Sequence, residues 1–83
     1  MTLEEVSNAS RKVVGQKQAL RVIRSGEATK VVLAVDADRK ITEPVLRECS
    51  IRGINVYKAE GMAALGKACG IKVGASVVAI LED

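Results

Sequence analysis

The sequence predicts an α/β fold: a three-layer α/β/α sandwich, with a small mixed sheet flanked by helices on both faces. Two continuous aliphatic runs, Val31–Val35 and Val77–Leu81, are too apolar for strands that keep one face in water. They belong in a sheet covered on both sides. Segments with helical spacing alternate with the extended ones along the chain and supply the covering layers. No repeat, linker or low-complexity stretch divides the 83 residues, so residues 1–83 read as a single domain near the lower size limit for folding on one core.

Each element carries its own signal. Thr2 followed by Glu5 matches a capping box, which starts a helix at Leu3 with Leu3, Val6 and Ala9 on one side. Val13-Val14 is a β-branched pair, a brief strand that Gly15 breaks. A second helix over residues 16–25 ends near Ser25-Gly26, with Gly26 at the C′ position. Lys30–Val35 is the clearest strand, and it runs into the charged loop Asp36-Ala37-Asp38-Arg39-Lys40. Thr42 is expected to cap a third helix, with Glu43 and Pro44 in its first turn. Val45, Leu46 and Cys49 would face inward, and Gly53 would end that helix. Ile54–Tyr57 alternates as a half-buried strand. A fourth short helix over 61–69 carries Met62, Leu65 and Cys69 at core spacing. Gly66 inside it costs about 1 kcal/mol relative to alanine, which implies close approach of another backbone or a ligand.

Composition limits the function. Tyr57 is the only aromatic, so the core is aliphatic and base stacking on aromatic platforms is not the mode of recognition. Thirteen Lys and Arg against ten Asp and Glu leave a net charge of +3, a mild basicity compatible with nucleic acid. Histidine is absent, and Cys49 and Cys69 are the only cysteines. A one-chain zinc site therefore lacks ligands, and the two thiols read as reduced, in a cytoplasmic protein. The acidic N-terminal segment has no secretory core and no apolar run reaches a membrane span, so a soluble protein with no membrane partner is expected.

An enzyme is not expected. No histidine is present to serve as a base near neutral pH, and the sequence has no GxSxG nucleophile elbow. The segment Gly66–Gly74 lacks the final lysine and hydroxyl of a phosphate loop. Cys69 lies at the C-terminal end of its helix, where the dipole disfavours a thiolate. Asp36 and Asp38 lack a third ligand at loop spacing, so turn formation and pairing with Arg39 or Lys40 account for them better than a metal does. No cofactor and no metal are expected.

The stretch Gly15–Arg21 is the candidate binding element. At about 100° per residue, Lys17, Arg21 and Arg24 fall within about 60° of one another, with Gln18 at the edge of that face. Ala19, Leu20, Val22 and Ile23 lie opposite. Three cations and an amide beside a helix N-terminus suit phosphates and the acceptor edges of bases. A solvated face on an ordinary surface helix has the same pattern. Ile71 and Val73, separated by Lys72, lie between Gly70 and Gly74. They read either as the first residues of the last strand, alternating inward, or as an exposed apolar shelf with a cation beside it.

Gly15-Gln16-Lys17-Gln18 with Arg21, the strand-to-acid run Val31–Asp38, and Leu65–Ala75 together resemble the kink-turn-binding ribosomal protein family of the L7Ae and L30e type, and most of all its small bacterial branch. The resemblance spans essentially the whole chain. It implies an α/β/α sandwich that binds kink-turns, sharply bent RNA motifs with tandem sheared G·A pairs. Its Gly-x-Asn-Glu-x-x-Lys element would read guanine edges, and its late apolar loop would cover flipped-out nucleotides. On this chain Gly15 matches the glycine and Arg21 the basic position, while Lys17 and Gln18 replace the Asn and Glu. Lysine and arginine can still donate to guanine O6 and N7, and glutamine both donates and accepts. Ile71, Lys72 and Val73 match the covering loop. The resemblance makes Gly15, Gln16, Lys17, Gln18, Arg21, Ile71, Lys72 and Val73 the expected RNA-binding residues, acting on ribosomal or riboswitch RNA within the ribosome or apart from it. The small basic surface gives no reason to expect more than a monomer. The other class of function is a small protein-interaction module that uses Ile71 and Val73 as its contact patch.

Overall fold

The computed structural model describes residues 1–81. Eight elements alternate along the chain: α1 (Leu3–Asn8), β1 (Lys12–Val14), α2 (Gln16–Arg24), β2 (Ala28–Ala34), α3 (Arg39–Arg52), β3 (Asn55–Ala59), α4 (Met62–Ala68) and β4 (Val77–Leu81). The four strands form one mixed sheet in the order β1-β4-β2-β3. Strands β2 and β3 run parallel, whereas β4 is antiparallel to both β1 and β2. Among the described residues no helix is long and apolar enough to cross a membrane.

The two central strands divide the core between two layers. Val31, Leu33, Val77, Ala79 and Leu81 point to one face and pack with Ala19, Val22 and Ile23 of α2 and Val45 and Cys49 of α3. Val32, Ala34, Val78 and Ile80 point to the other and pack with Val6 of α1 and Leu65 of α4. Period-two alternation thus feeds two cores at once, which explains why β4 is apolar at every position and β2 from Val31 to Ala34. All five residues of β4 are buried. The three-layer sandwich expected from the sequence is the observed fold.

The local signals hold for α1: the Thr2 hydroxyl accepts from the Glu5 amide at 3.2 Å, and the Glu5 carboxylate accepts from the Thr2 amide at 3.0 Å. That bond to the Thr2 backbone holds the Glu5 carboxyl below its usual range. The start of α3 differs from expectation. Asp38, not Thr42, is the N-cap, with its carboxylate accepting from the Lys40 amide at 2.9 Å. The helix therefore begins at Arg39, and Pro44 lies inside it. The aspartate wins because its side chain reaches a first-turn amide while Ile41 and Thr42 already donate to its carbonyl. Ile41, Val45 and Cys49 form the inward stripe at four-residue spacing. Leu46, expected inward, is 41% exposed.

Strand limits also shift. β2 begins two residues earlier than the expected Lys30, at Ala28, and stops at Ala34. Val35, read as part of the strand, is exposed, although its amide still bonds the Ala59 carbonyl at 3.0 Å. β3 runs to Ala59 because parallel pairing with β2 continues as far as Ala34 opposite Ala59.

Candidate nucleic-acid interface

Gly15 opens the site. Its φ of 103° lies where a side chain is disfavoured, and this turn lets β1 pass directly into α2. As N-cap it offers no side-chain acceptor, so the amides of Gln16, Lys17 and Gln18 have no intrahelical partner. Ala19 is the first residue to bond back, to the Gly15 carbonyl at 2.9 Å. The positive end of α2 is therefore open.

The expected basic face is present but not uniform. Lys17, Gln18, Arg21 and Arg24 line one open depression on the outside of α2, while Ala19, Val22 and Ile23 are buried beneath. Arg24 is engaged: its Nε lies 3.4 Å from Glu48 Oε1, and Arg52 shares the same oxygen at 3.7 Å. Lys17 and Arg21 are exposed, and neither belongs to an ion pair among the described residues. Of the cations on this face, Lys17 and Arg21 are thus the two without an ion-pair partner among the described residues. Gln16 differs from its neighbours in the motif. Its Nε2 donates to the Ile41 carbonyl at 3.0 Å, so it joins α2 to α3 and its amide is turned into the protein.

The second part of the site is the loop between α4 and β4. Ile71 donates to the Gly66 carbonyl at 3.1 Å, and Ala75 donates to the Met62 carbonyl at 3.0 Å. Both ends of the loop are thus bonded to α4. Between them the loop backbone lies against Gly66, where an added Cβ would collide with the Val73 carbonyl oxygen. The glycine inside α4 is explained by close approach of a second backbone, one of the two accounts its position in the helix allows.

Ile71 and Val73 lie outside β4, which starts at Val77; they are not its first residues. Their environments differ. Ile71 is half-buried and packs against the core layer under α1 and α4. Val73 is 71% exposed, and Lys72 beside it is exposed as well. The outward-facing loop therefore offers Lys72 and Val73, with Ile71 as its anchor. This loop is brought to α2 by the sheet: the Gly15 amide donates to the Val77 carbonyl at 2.8 Å.

Asp36 and Asp38 do not pair with Arg39 or Lys40 among the described residues. Each caps a helix, Asp38 at α3 and Asp36 at α4, where it accepts from the Met62 amide at 2.8 Å. Sequence reasoning could not find the second cap, since donor and acceptor are 26 residues apart. No group of three or more His, Cys, Asp or Glu able to hold a metal exists among the described residues. Cys49 is buried and Cys69 half-buried, both free. Burial pushes both thiols above the usual range; Glu48 reinforces the shift at Cys49, and Lys12 opposes it at Cys69.

A compact α/β/α domain presenting a basic helix terminus and a glycine-anchored loop at one end of its sheet defines a recognisable class of small ribosomal-protein-like folds. The chain belongs to the Ribosomal protein L7Ae/L30e/S12e/Gadd45 family, whose model matches residues 1–83. It is 46% identical over 82 residues to the RNA-binding protein YbxF of Geobacillus stearothermophilus, covering 99% of this chain and 100% of that one. It is 42% identical over 82 residues to an RNA-binding protein of Geobacillus thermodenitrificans, with the same coverage. These relatives set it in the YbxF-like bacterial branch. Among solved structures, the Giardia lamblia 15.5kD RNA binding protein superposes with a TM-score of 0.87 at 26% identity, over 98% of this chain and 68% of that one.

Proposed function

We propose that this protein is a non-enzymatic RNA-binding protein that recognises and stabilises kink-turns in structured RNA, ribosomal or riboswitch, as a cytoplasmic monomer. The observation that carries this reading is the pairing of two unlike surfaces at one end of the sheet. One is the open N-terminus of α2 with Lys17 and Arg21, neither of them ion-paired among the described residues. The other is the Lys72-Val73 loop, tied to it through Gly15 and Val77. Membership of a family whose relatives are named RNA-binding proteins supports the same reading.

The mechanism follows from groove geometry. A regular A-form helix closes its major groove to side chains, so guanine edges become readable only where the RNA bends sharply. At such a bend Lys17 and Arg21 donate to O6 and N7, Gln18 supplies a donor and an acceptor, and the α2 amides face phosphate. Val73 and Ile71 cover bases that the bend has unstacked, and Lys72 neutralises backbone charge. Replacing an acidic family position by Gln18 increases attraction to phosphate and relaxes discrimination of guanine amino groups.

Titration calorimetry against a kink-turn RNA, and against a control whose G·A pairs are changed to Watson–Crick pairs, tests this. Tight binding to the first alone is expected. Equal binding to both would reduce the protein to a nonspecific RNA binder. Absence of both would favour a protein contact at Val73, the residue whose exposure suits that second reading. Salt separates these cases: RNA affinity falls steeply as salt rises because counterions are released, whereas an apolar contact barely responds.

A further inference from the structure

We propose that Asp36 is a positioning residue for the recognition loop: by capping α4 it holds Ile71–Val73 in the conformation that meets RNA. The inference rests on the kink-turn reading for its functional consequence, but its structural half stands without RNA. Gly61, the N-cap of α4, has no side chain to satisfy the first-turn amides. Asp36, arriving from the end of β2, does so instead, with Oδ1 2.8 Å from the Met62 amide. Its other oxygen lies against Gly61, where an added Cβ would be 3.5 Å away.

Met62 is also the residue to which the loop returns. Its carbonyl accepts from Ala75 at 3.0 Å, its Sδ accepts from the Ser76 hydroxyl at 3.5 Å, and its backbone packs against Gly74. One residue therefore takes the cap on its amide and the loop on its carbonyl and side chain. The neighbouring chain closes the circuit: the Ser76 carbonyl accepts from Ala34, two residues before Asp36, at 3.0 Å. Freeing the Met62 amide releases the first turn of α4, and with it the C-terminal attachment of the loop.

Charge makes the idea decidable. Asp36 is an exposed carboxylate on the end of the protein that meets a polyanion. If it did nothing but repel phosphate, removing its charge would tighten binding. Asparagine keeps an oxygen acceptor for the Met62 amide and loses the charge; alanine loses both. The positioning role therefore predicts opposite outcomes for the two substitutions. Asp36→Asn retains or improves affinity for kink-turn RNA, and Asp36→Ala weakens it about five- to tenfold, the scale of a lost cap.

The test is calorimetric binding of both variants, together with amide hydrogen exchange measured on the free protein. In Asp36→Ala the amides of Met62 and Ala75 should exchange faster, while those of Val32 and Val78 in the central strands stay protected. Asp36→Asn should restore protection at Ala75. Acceleration confined to Met62, with Ala75 unchanged, would overturn the proposal, as would tighter RNA binding by Asp36→Ala. Should the parent protein fail to bind kink-turn RNA, the kink-turn reading falls, and the exchange result alone decides whether Asp36 holds the loop.

Discussion

The amide of Gly15 donates to the carbonyl of Val77 at 2.8 Å, and this bond joins the two halves of the candidate interface. Gly15 begins the helix that carries Lys17 and Arg21. Val77 ends the loop that carries Lys72 and Val73. Sixty or so residues of chain separate them, yet antiparallel pairing of β1 with β4 brings them to one end of the sheet. Because the bond continues that ladder, the spacing between basic helix and apolar loop is set by rigid backbone rather than by side chains.

The basic helix face should show graded effects. Lys17→Ala and Arg21→Ala are each expected to cost about 1–3 kcal/mol of kink-turn binding. Arg24→Ala should cost less, because Glu48 already engages that guanidinium. Calorimetry on the three variants checks the order. Unchanged affinity in both Lys17→Ala and Arg21→Ala would show that α2 is not the reading helix.

Gly66→Ala runs against helix propensity. Alanine is favoured by about 1 kcal/mol within a helix, but its Cβ would collide with the Val73 carbonyl. Overpacking of this kind costs about 1–3 kcal/mol, so net destabilisation and weaker RNA binding are expected. A thermal melt that moves upward would mean that the loop yields without loss.

Ile71 and Val73 should separate under substitution by aspartate. Val73 is exposed, so Val73→Asp should weaken RNA binding while leaving the thermal midpoint nearly unchanged. Ile71 packs on the core layer, so Ile71→Asp should lower both the midpoint and the affinity. Paired melts and titrations distinguish them; identical melts for the two variants would contradict the different packing.

The two cysteines make stability depend on pH in the alkaline range. Burial raises both thiols in the folded state, so unfolding makes the thiolate easier to form. The stabilisation is fully present below the unfolded thiol pKa, about 8.5, and is lost as pH rises through the higher folded values. Denaturant midpoints should therefore fall above that pH, and less so in a Cys49→Ala, Cys69→Ala variant compared with its own neutral value. Thiol-disulfide reagents should react slowly with the native protein and rapidly once it is unfolded.

Much of the candidate site is local and legible in the chain. The Gly15–Arg21 spacing, the glycine within α4 and the Lys72-Val73 pair are short-range patterns whose geometry follows from helix periodicity and from the steric needs of glycine. The partners that tune those residues were not legible. Gln16 bonds Ile41, Arg24 meets Glu48, and Asp36 caps Met62, each across about 25 residues of chain. No periodicity encodes such pairs, because they depend on how helices and loops pack together.

The sequence by itself determined the order of elements, the double-sided sheet, the aliphatic core and the basic face of α2, since period-two and period-3.6 burial act within single segments. Only the tertiary structure decided which cation on that face is already paired, that Ile71 anchors while Val73 faces out, and that α3 begins at Arg39 under an Asp38 cap. Those outcomes turn on competition among distant groups for the same amide, carboxylate or patch of apolar surface, and only packing resolves that competition.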